Sequence, residues 1–312
     1  MNILLQLLLF IIGLFVLIKS ADLLIEHSVL TAGALKISSL LIGITVVAFG
    51  TSAPELFVST VAALQQKPDI SVGNIIGSCI ANITLVIGAT ALLKPIDISP
   101  SIAKVKTPWF LAVLFIISIL MFDLQLSRSD GLILLTCFVI FILASVIKDT
   151  RTEQDNIEQR AGPSSLLKNI LLIIAGLGGL VIGAELFIRS SSAIAKILGI
   201  SELIIGITVV ALGTSLPELV TSVVASYKNE HDISLANVIG SNIFNILLVL
   251  GVVATITPLA INKQVIQTEI WILYVISFFM WFLFLFSKKI QRLQGILLLS
   301  IYFLYLGYLF IY

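Results

Sequence analysis

The sequence predicts an all-α polytopic membrane protein, ten transmembrane helices arranged as two inverted five-helix repeats with helices 2, 3, 7 and 8 broken. Three observations predict it: a composition too apolar for water, a regular series of long apolar runs, and an ungapped internal repeat. Of the 312 residues, 59% are hydrophobic and 11% charged. Soluble domains carry about 25% charged residues, so this chain cannot build a water-facing surface. A spanning helix needs about 20 apolar residues, and the chain supplies about ten such runs.

In chain order the runs cover about 3–31, 37–65, 70–93, 103–122, 129–147, 166–195, 201–227, 233–256, 265–286 and 291–311. The first resembles a signal peptide only in its position. It lacks a positively charged n-region and a small-residue cleavage site, and it is longer than an h-region, so a retained first helix is expected. After the fifth run comes the one extended polar stretch, KDTRTEQDNIEQRAGPSS. It divides the chain into a first half 1–147, a linker 148–168 and a second half 169–312. Lysines and arginines set the orientation. With the N-terminus outside, cytoplasmic connections hold 12 of them and the opposite side 5, with Lys19 inside the first segment. Both termini are therefore expected outside the cell membrane and the linker in the cytoplasm.

Residues 37–88 align without a gap to residues 200–251 at a constant offset of 163, and 32 of the 52 positions are identical. Shared apolar residues arise by chance in membrane helices. Shared GTSxPEL and GS-x-I-x-N-I runs at fixed spacing do not. Each half holds an odd number of spans, so the second copy enters from the opposite side, the inverted arrangement of many secondary transporters.

Each copy carries two polar clusters. The first runs from Ala48 through Thr51, Ser52 and Pro54 to Glu55, matched by Ala211, Thr214, Ser215, Pro217 and Glu218. Proline removes a backbone donor and clashes with the preceding turn, so the helix is expected to break and to free the carbonyls of Ala48 and Ala211. Irregular backbone at that depth is tolerated only around a protein-lined cavity. An ionised carboxylate at mid-membrane costs about 2.5 kcal/mol or considerably more. No lysine or arginine lies within either repeat's core to pair with Glu55 or Glu218, so a cation is the expected partner, with protons as competitors for two carboxylates held close together.

The second cluster holds Asn74, Ser78 and Asn82, matched by Asn237, Ser241 and Asn245. Ser78 and Asn82 are four residues apart, as are Ser241 and Asn245, so each pair shares a helical face. Carboxylates, hydroxyls and amide and backbone carbonyls form a hard-oxygen set suited to Ca²⁺ or Na⁺, without a soft ligand for a transition metal. Interhelical hydrogen bonding competes for the hydroxyls and amides, and for Asn74 and Asn237 the two roles stand level. Asp22 and Glu185 are also repeat mates. They read as helix-end acids paired locally with Lys19 and Arg189 rather than as gating acids. The glycines of Ile174–Gly183 suit close helix packing and would also let a helix slide.

Several classes are excluded. A net charge of +1 leaves no nucleic-acid footprint. His27 and His231 have no second histidine or cysteine at zinc spacing, and Cys79 and Cys137 read as small apolar-segment residues rather than a disulfide. No nucleophile, histidine base or cofactor loop points to an enzyme, and no cofactor is expected.

At the GTSxPE and GS-x-x-x-N residues the sequence closely resembles the cation/Ca²⁺ exchanger superfamily, in particular its compact prokaryotic Na⁺/Ca²⁺ exchangers. The resemblance spans the whole chain. It implies Glu55 and Glu218 as central ligands for both ions, with Ala48, Ala211, Thr51, Ser52, Thr214, Ser215, Ser78 and Ser241 supplying further oxygens. It also implies that the first and sixth helices slide against the other eight. Archaeal and K⁺-dependent relatives have an acid where this chain has Asn245, the mate of Asn82. The neutral residue implies a site charge of −2, K⁺ independence and electrogenic exchange. Ca²⁺ and Na⁺ are the expected partners, in the lipid bilayer, with a monomer as the simplest unit. Ca²⁺/H⁺ exchange, with protons on Glu55 and Glu218, stays open. A cation channel is disfavoured by the inverted repeat.

Overall fold

The computed structural model describes residues 3–149, 165–198 and 213–311. They form helices α1 (Ile3–Leu35), α2 (Ser39–Thr51), α3 (Ala53–Leu64), α4 (Pro68–Leu93), α5 (Ile102–Leu120) and α6 (Arg128–Asp149) in the first half. The second half holds α7 (Leu166–Ile197), α8 (Leu216–Tyr227), α9 (His231–Ile256), α10 (Val265–Phe286) and α11 (Arg292–Ile311). Among the described residues, eight helices are long and apolar enough to cross a membrane, and the bent pair α2–α3 makes a ninth span. The expected seventh segment contributes α8; its beginning, residues 201–212, lies outside the described residues, as does most of the linker.

Four two-residue strands set the topology: β1 (Ile96–Asp97), β2 (Gln125–Leu126), β3 (Leu259–Ala260) and β4 (Lys289–Ile290). β1 pairs antiparallel with β4, and β2 with β3. Each pairing joins a connection of one half to a connection of the other, which must then lie on the same side. Between β1 and β4 run five long apolar helices and the segment carrying α8. Points on one side are separated by an even number of crossings, so both pairings agree with the ten spans expected. The inverted repeat is thus consistent with hydrogen-bond register as well as with sequence.

The break at Pro54 is a bend of 42° between α2 and α3. Helices 3 and 8, also expected to break, keep their direction. Their irregularity takes the form of a π-helical segment, Asn82–Val86 in α4 and Asn245–Leu250 in α9. Neither segment contains a proline, so the ladder is widened rather than cut. α4 and α9 are the innermost spans and α1, α6 and α11 the most outlying. Exposed side chains such as Phe122, Phe286 and Leu293 make the outer surface apolar, as lipid contact requires.

The two long helices α1 and α7 lie against each other through a glycine face. A Cβ added at Gly13 would sit 2.8 Å from the Phe187 backbone nitrogen, and one at Gly183 2.8 Å from that of Leu17. Gly176 approaches the Ser20 carbonyl in the same way. At one end of this contact His27 Nδ1 bonds Asn169 Oδ1 at 3.0 Å. Asp22 does not pair with Lys19. Its Oδ1 lies 2.7 Å from Lys228 Nζ, which also meets Glu26 at 3.6 Å, because tertiary packing brings the end of α8 against α1. Glu185 pairs with Arg189 one turn on, as expected.

Filling the glycine face forces two backbones apart, whereas no described atom lies within 4 Å of a Cβ at Gly178. Gly183→Leu is expected to destabilise by about 1–3 kcal/mol or more, and Gly178→Leu to stay within about 0.5 kcal/mol, read from thermal unfolding in detergent.

Candidate functional site

The bend at Ser52 brings polar groups to the middle of the bundle. Thr51 ends α2, Ser52 forms the corner, and Glu55 lies in the first turn of α3. In the second half Thr214 and Ser215 precede α8, whose first turn carries Glu218. A helix N-terminus favours a negative charge, so each break places its carboxylate where the backbone partly offsets burial. Both carboxylates are fully buried. Among the described residues neither has a cationic partner, and every ion pair there involves other acids.

Proline at position 54 orphans the carbonyl four residues earlier, that of Gly50. Ala48 therefore does not carry the freed carbonyl expected of it. Its oxygen accepts the Ser52 amide at 3.1 Å and the Thr51 hydroxyl at 3.3 Å. Ala211 lies outside the described residues.

Hydrogen bonds across the two halves hold the remaining groups. Ser52 Oγ donates to Glu218 Oε1 at 3.3 Å. Thr51 Oγ1 lies 3.1 Å from Asn237 Oδ1 and 3.3 Å from Ser241 Oγ, and on the other side Thr214 Oγ1 donates to Asn74 Oδ1 at 3.5 Å. Asn74 and Asn237 are braces. Asn74 Nδ2 donates to Ser59 Oγ at 2.9 Å and Asn237 Nδ2 to Ser222 Oγ at 3.0 Å. Those serines in turn donate to the carbonyls of Ser71 and Ser234. Each asparagine thus ties its own helix to the preceding proline helix and to the opposite repeat's threonine. Ser59 and Ser222 were not among the residues expected here, although both are repeat mates and identical.

Several polar atoms in this cluster have no hydrogen-bond partner among the described residues: Glu55 Oε1 and Oε2, Glu218 Oε2, Ser215 Oγ, Asn82 Oδ1 and both amide atoms of Asn245. Ser78 and Thr214 face the Glu55 carboxylate without reaching hydrogen-bond geometry, and Thr51, Ser52 and Ser241 face that of Glu218. Asn82 and Asn245 begin the π-helical segments and are fully buried. Of the twelve expected site residues, all but Ala211 are described, and they converge between α2–α3, α4, α8 and α9. The donor set is two carboxylates with hydroxyl and amide oxygens. No cluster of three histidine, cysteine, aspartate or glutamate residues occurs among the described residues.

The family model "Sodium/calcium exchanger protein" matches residues 5–147 and 168–311. The chain belongs to the sodium/calcium exchanger family. It is 31% identical over 343 residues to the sodium/calcium exchanger MaX1 of Methanosarcina acetivorans, covering 97% of this chain and 98% of that one. It is 35% identical over 283 residues to the inner membrane protein YrbG of Escherichia coli, covering 86% and 85%. A solved structure of the sodium-calcium exchanger NCX_Mj, soaked with 10 mM Na⁺ and zero Ca²⁺, superposes with a TM-score of 0.85 at 35% identity over 98% of this chain and 99% of that chain. The exchanger is thus a multi-pass membrane transporter of the cation/Ca²⁺ antiport class, not an enzyme.

Asn237→Leu removes the acceptor of Thr51 and the donor to Ser222 in a fully buried setting. Unpaired buried groups cost about 1–3 kcal/mol each, so a lower thermal midpoint is expected. Asn74→Leu, at a half-buried position, is expected to lower it less.

Proposed function

We propose that this exchanger extrudes Ca²⁺ in exchange for Na⁺ by alternating access, with Glu55 and Glu218 as central ligands. The observation that carries this reading is a pair of fully buried carboxylates, one from each repeat, with no cationic side chain paired to them among the described residues. Buried charge without a partner is strongly unfavourable, and a bound cation is the partner the donor set suits. Thr51, Ser52, Thr214, Ser215, Ser78, Ser241, Asn82 and Asn245 add neutral oxygens, and the backbone carbonyls of Ala48 and Ala211 complete the proposed set.

Both ions use these oxygens, so they compete. With both glutamates ionised the site carries −2, which one Ca²⁺ balances. Loading more than one Na⁺ leaves a different charge, so exchange is electrogenic. The neutral Asn245 removes the third acid that a co-bound K⁺ would need. Within this reading the first half 1–147 and second half 169–312 carry one set of ligands each, both termini face outside, and the linker 148–168 is cytoplasmic. α1 and α7 supply none of the ligands, and they are packed on each other through glycines, so they can move as a pair along the ligand-bearing core without breaking the site.

Proteoliposomes loaded with Na⁺ and given external ⁴⁵Ca²⁺ test this. Uptake is expected with an outward Na⁺ gradient, without added K⁺, and it should respond to a clamped membrane potential. Glu55→Gln and Glu218→Gln are each expected to reduce uptake by at least about tenfold, the effect of losing about 1.4 kcal/mol of ion binding. Uptake driven only by a pH gradient would replace Na⁺ with H⁺ as the counter-ion, and a K⁺ requirement would overturn the role given to Asn245.

A further inference from the structure

We propose that Asn242 is a positioning residue that fixes the side-chain amide of Asn82 with its oxygen available to the transported cation. The inference rests on the site reading above, and it concerns a residue outside the expected ligand set. Asn82 Nδ2 donates to Asn242 Oδ1 at 3.1 Å, and both side chains are fully buried. Asn82 Oδ1 has no partner among the described residues. An amide carries its donors and its acceptor on opposite arms. Anchoring the nitrogen on Asn242 therefore turns the oxygen the other way. Asn82 shares a helical face with Ser78, which faces Glu55.

The inverted repeat supplies an internal control. The mate of Asn82 is Asn245, and the mate of Asn242 at the 163 offset is Cys79. A thiol is a weak hydrogen-bonding group. Cys79 Sγ lies 3.9 Å from the Asn242 carbonyl, and both amide atoms of Asn245 lack hydrogen-bond partners among the described residues. The two neutral amides are thus unequal. Asn82 is held with an amide oxygen behind its nitrogen, whereas Asn245 faces only the Cys79 thiol, short of hydrogen-bond geometry. To turn an oxygen toward a cation, a buried asparagine must leave its NH₂ facing protein. Without an acceptor there, the ligand geometry carries the penalty of an unpaired buried donor. Asn242 lifts that penalty from Asn82 and carries an unpartnered Nδ2 itself.

The test is a double-mutant cycle on Ca²⁺ uptake in proteoliposomes, with folding checked by thermal unfolding. Asn242→Ala and Asn82→Ala are each expected to raise the Ca²⁺ KM about five- to tenfold, with a smaller change in the saturating rate. The double variant should be no worse than Asn82→Ala alone, because Asn242 acts through Asn82. Asn242→Cys, which copies the residue its mate already accommodates, keeps the test in hand if the alanine variant folds poorly. It should raise KM in the same way. If Asn82→Ala raises KM while Asn242→Cys and Asn242→Ala do not, the positioning role is overturned. Multiplying effects in the double variant would overturn it as well, since they assign Asn242 a separate structural part. If Asn82→Ala leaves KM unchanged, Asn82 is not a ligand and the inference falls. The wider site reading is then judged separately by Glu55→Gln and Glu218→Gln.

Discussion

Two carboxylates buried without a cationic side chain are the constraint from which the rest of this architecture follows. Each costs about 2.5 kcal/mol or considerably more in an apolar setting. The chain arranges three compensations around them. A proline break puts each acid in the first turn of a half-helix, where the backbone dipole favours negative charge. Hydroxyls of the opposite repeat approach, as Ser52 does Glu218. In the proposed function the transported cation balances the remaining charge. Each carboxylate is faced by hydroxyls of both repeats, Glu55 by Ser78 and Thr214 and Glu218 by Ser241, Thr51 and Ser52.

The same constraint separates parts that hold from parts that can move. The ligand-bearing segments are cross-braced through Asn74, Asn237 and the serines behind them, so their spacing is fixed by bonds rather than by packing alone. The α1–α7 pair contributes no oxygen to the site and meets itself through glycines. Small residues at a helix contact permit close approach, so the glycines hold α1 and α7 together as a pair. The ties at its rim, Lys228 with Asp22 and His27 with Asn169, are few and polar. The proposed alternating access fits this division between a braced core and a helix pair that carries no ligand.

The parts of this molecule that were legible in the sequence are those where residue type itself carries the cost. Glu55 and Glu218 stood out because charge in lipid is expensive, and the α2–α3 bend because Pro54 has no N–H. Helix limits followed the apolar runs to within a few residues. The π-helical segments left no such mark. Asn82 and Asn245 begin them, yet the extra residue per turn needs no glycine or proline. Ala48 was misjudged because the ladder runs over four residues, so the orphaned carbonyl belongs to Gly50. The partner of Asp22 lies 206 residues away in sequence, beyond any local reading. Asn242 was hidden by symmetry, since its mate Cys79 is unremarkable as a small buried residue. A polar residue facing an apolar mate was the available signal.

Symmetry also distinguishes function from scaffolding among the buried charges. Among the described residues, four lysine, arginine, aspartate or glutamate side chains are buried: Glu55, Lys106, Glu218 and Glu269. At the 163 offset they form two pairs, Glu55 with Glu218 and Lys106 with Glu269. The second pair occupies matching π-helical segments, Ile102–Lys106 and Val265–Glu269. Its members differ in sign and are satisfied where they stand. Lys106 Nζ donates to Ser145 Oγ at 3.1 Å and lies 6.0 Å from the Phe141 ring centroid, while Glu269 Oε2 accepts from Tyr305 at 2.8 Å. Divergence there is tolerated because each charge has its own local partner. Glu55 and Glu218 keep the same residue and the same sign, and three of their four carboxylate oxygens have no hydrogen-bond partner among the described residues. A buried pair that repeats its charge, with no cationic side chain beside it among the described residues, fits the proposal of a partner from outside.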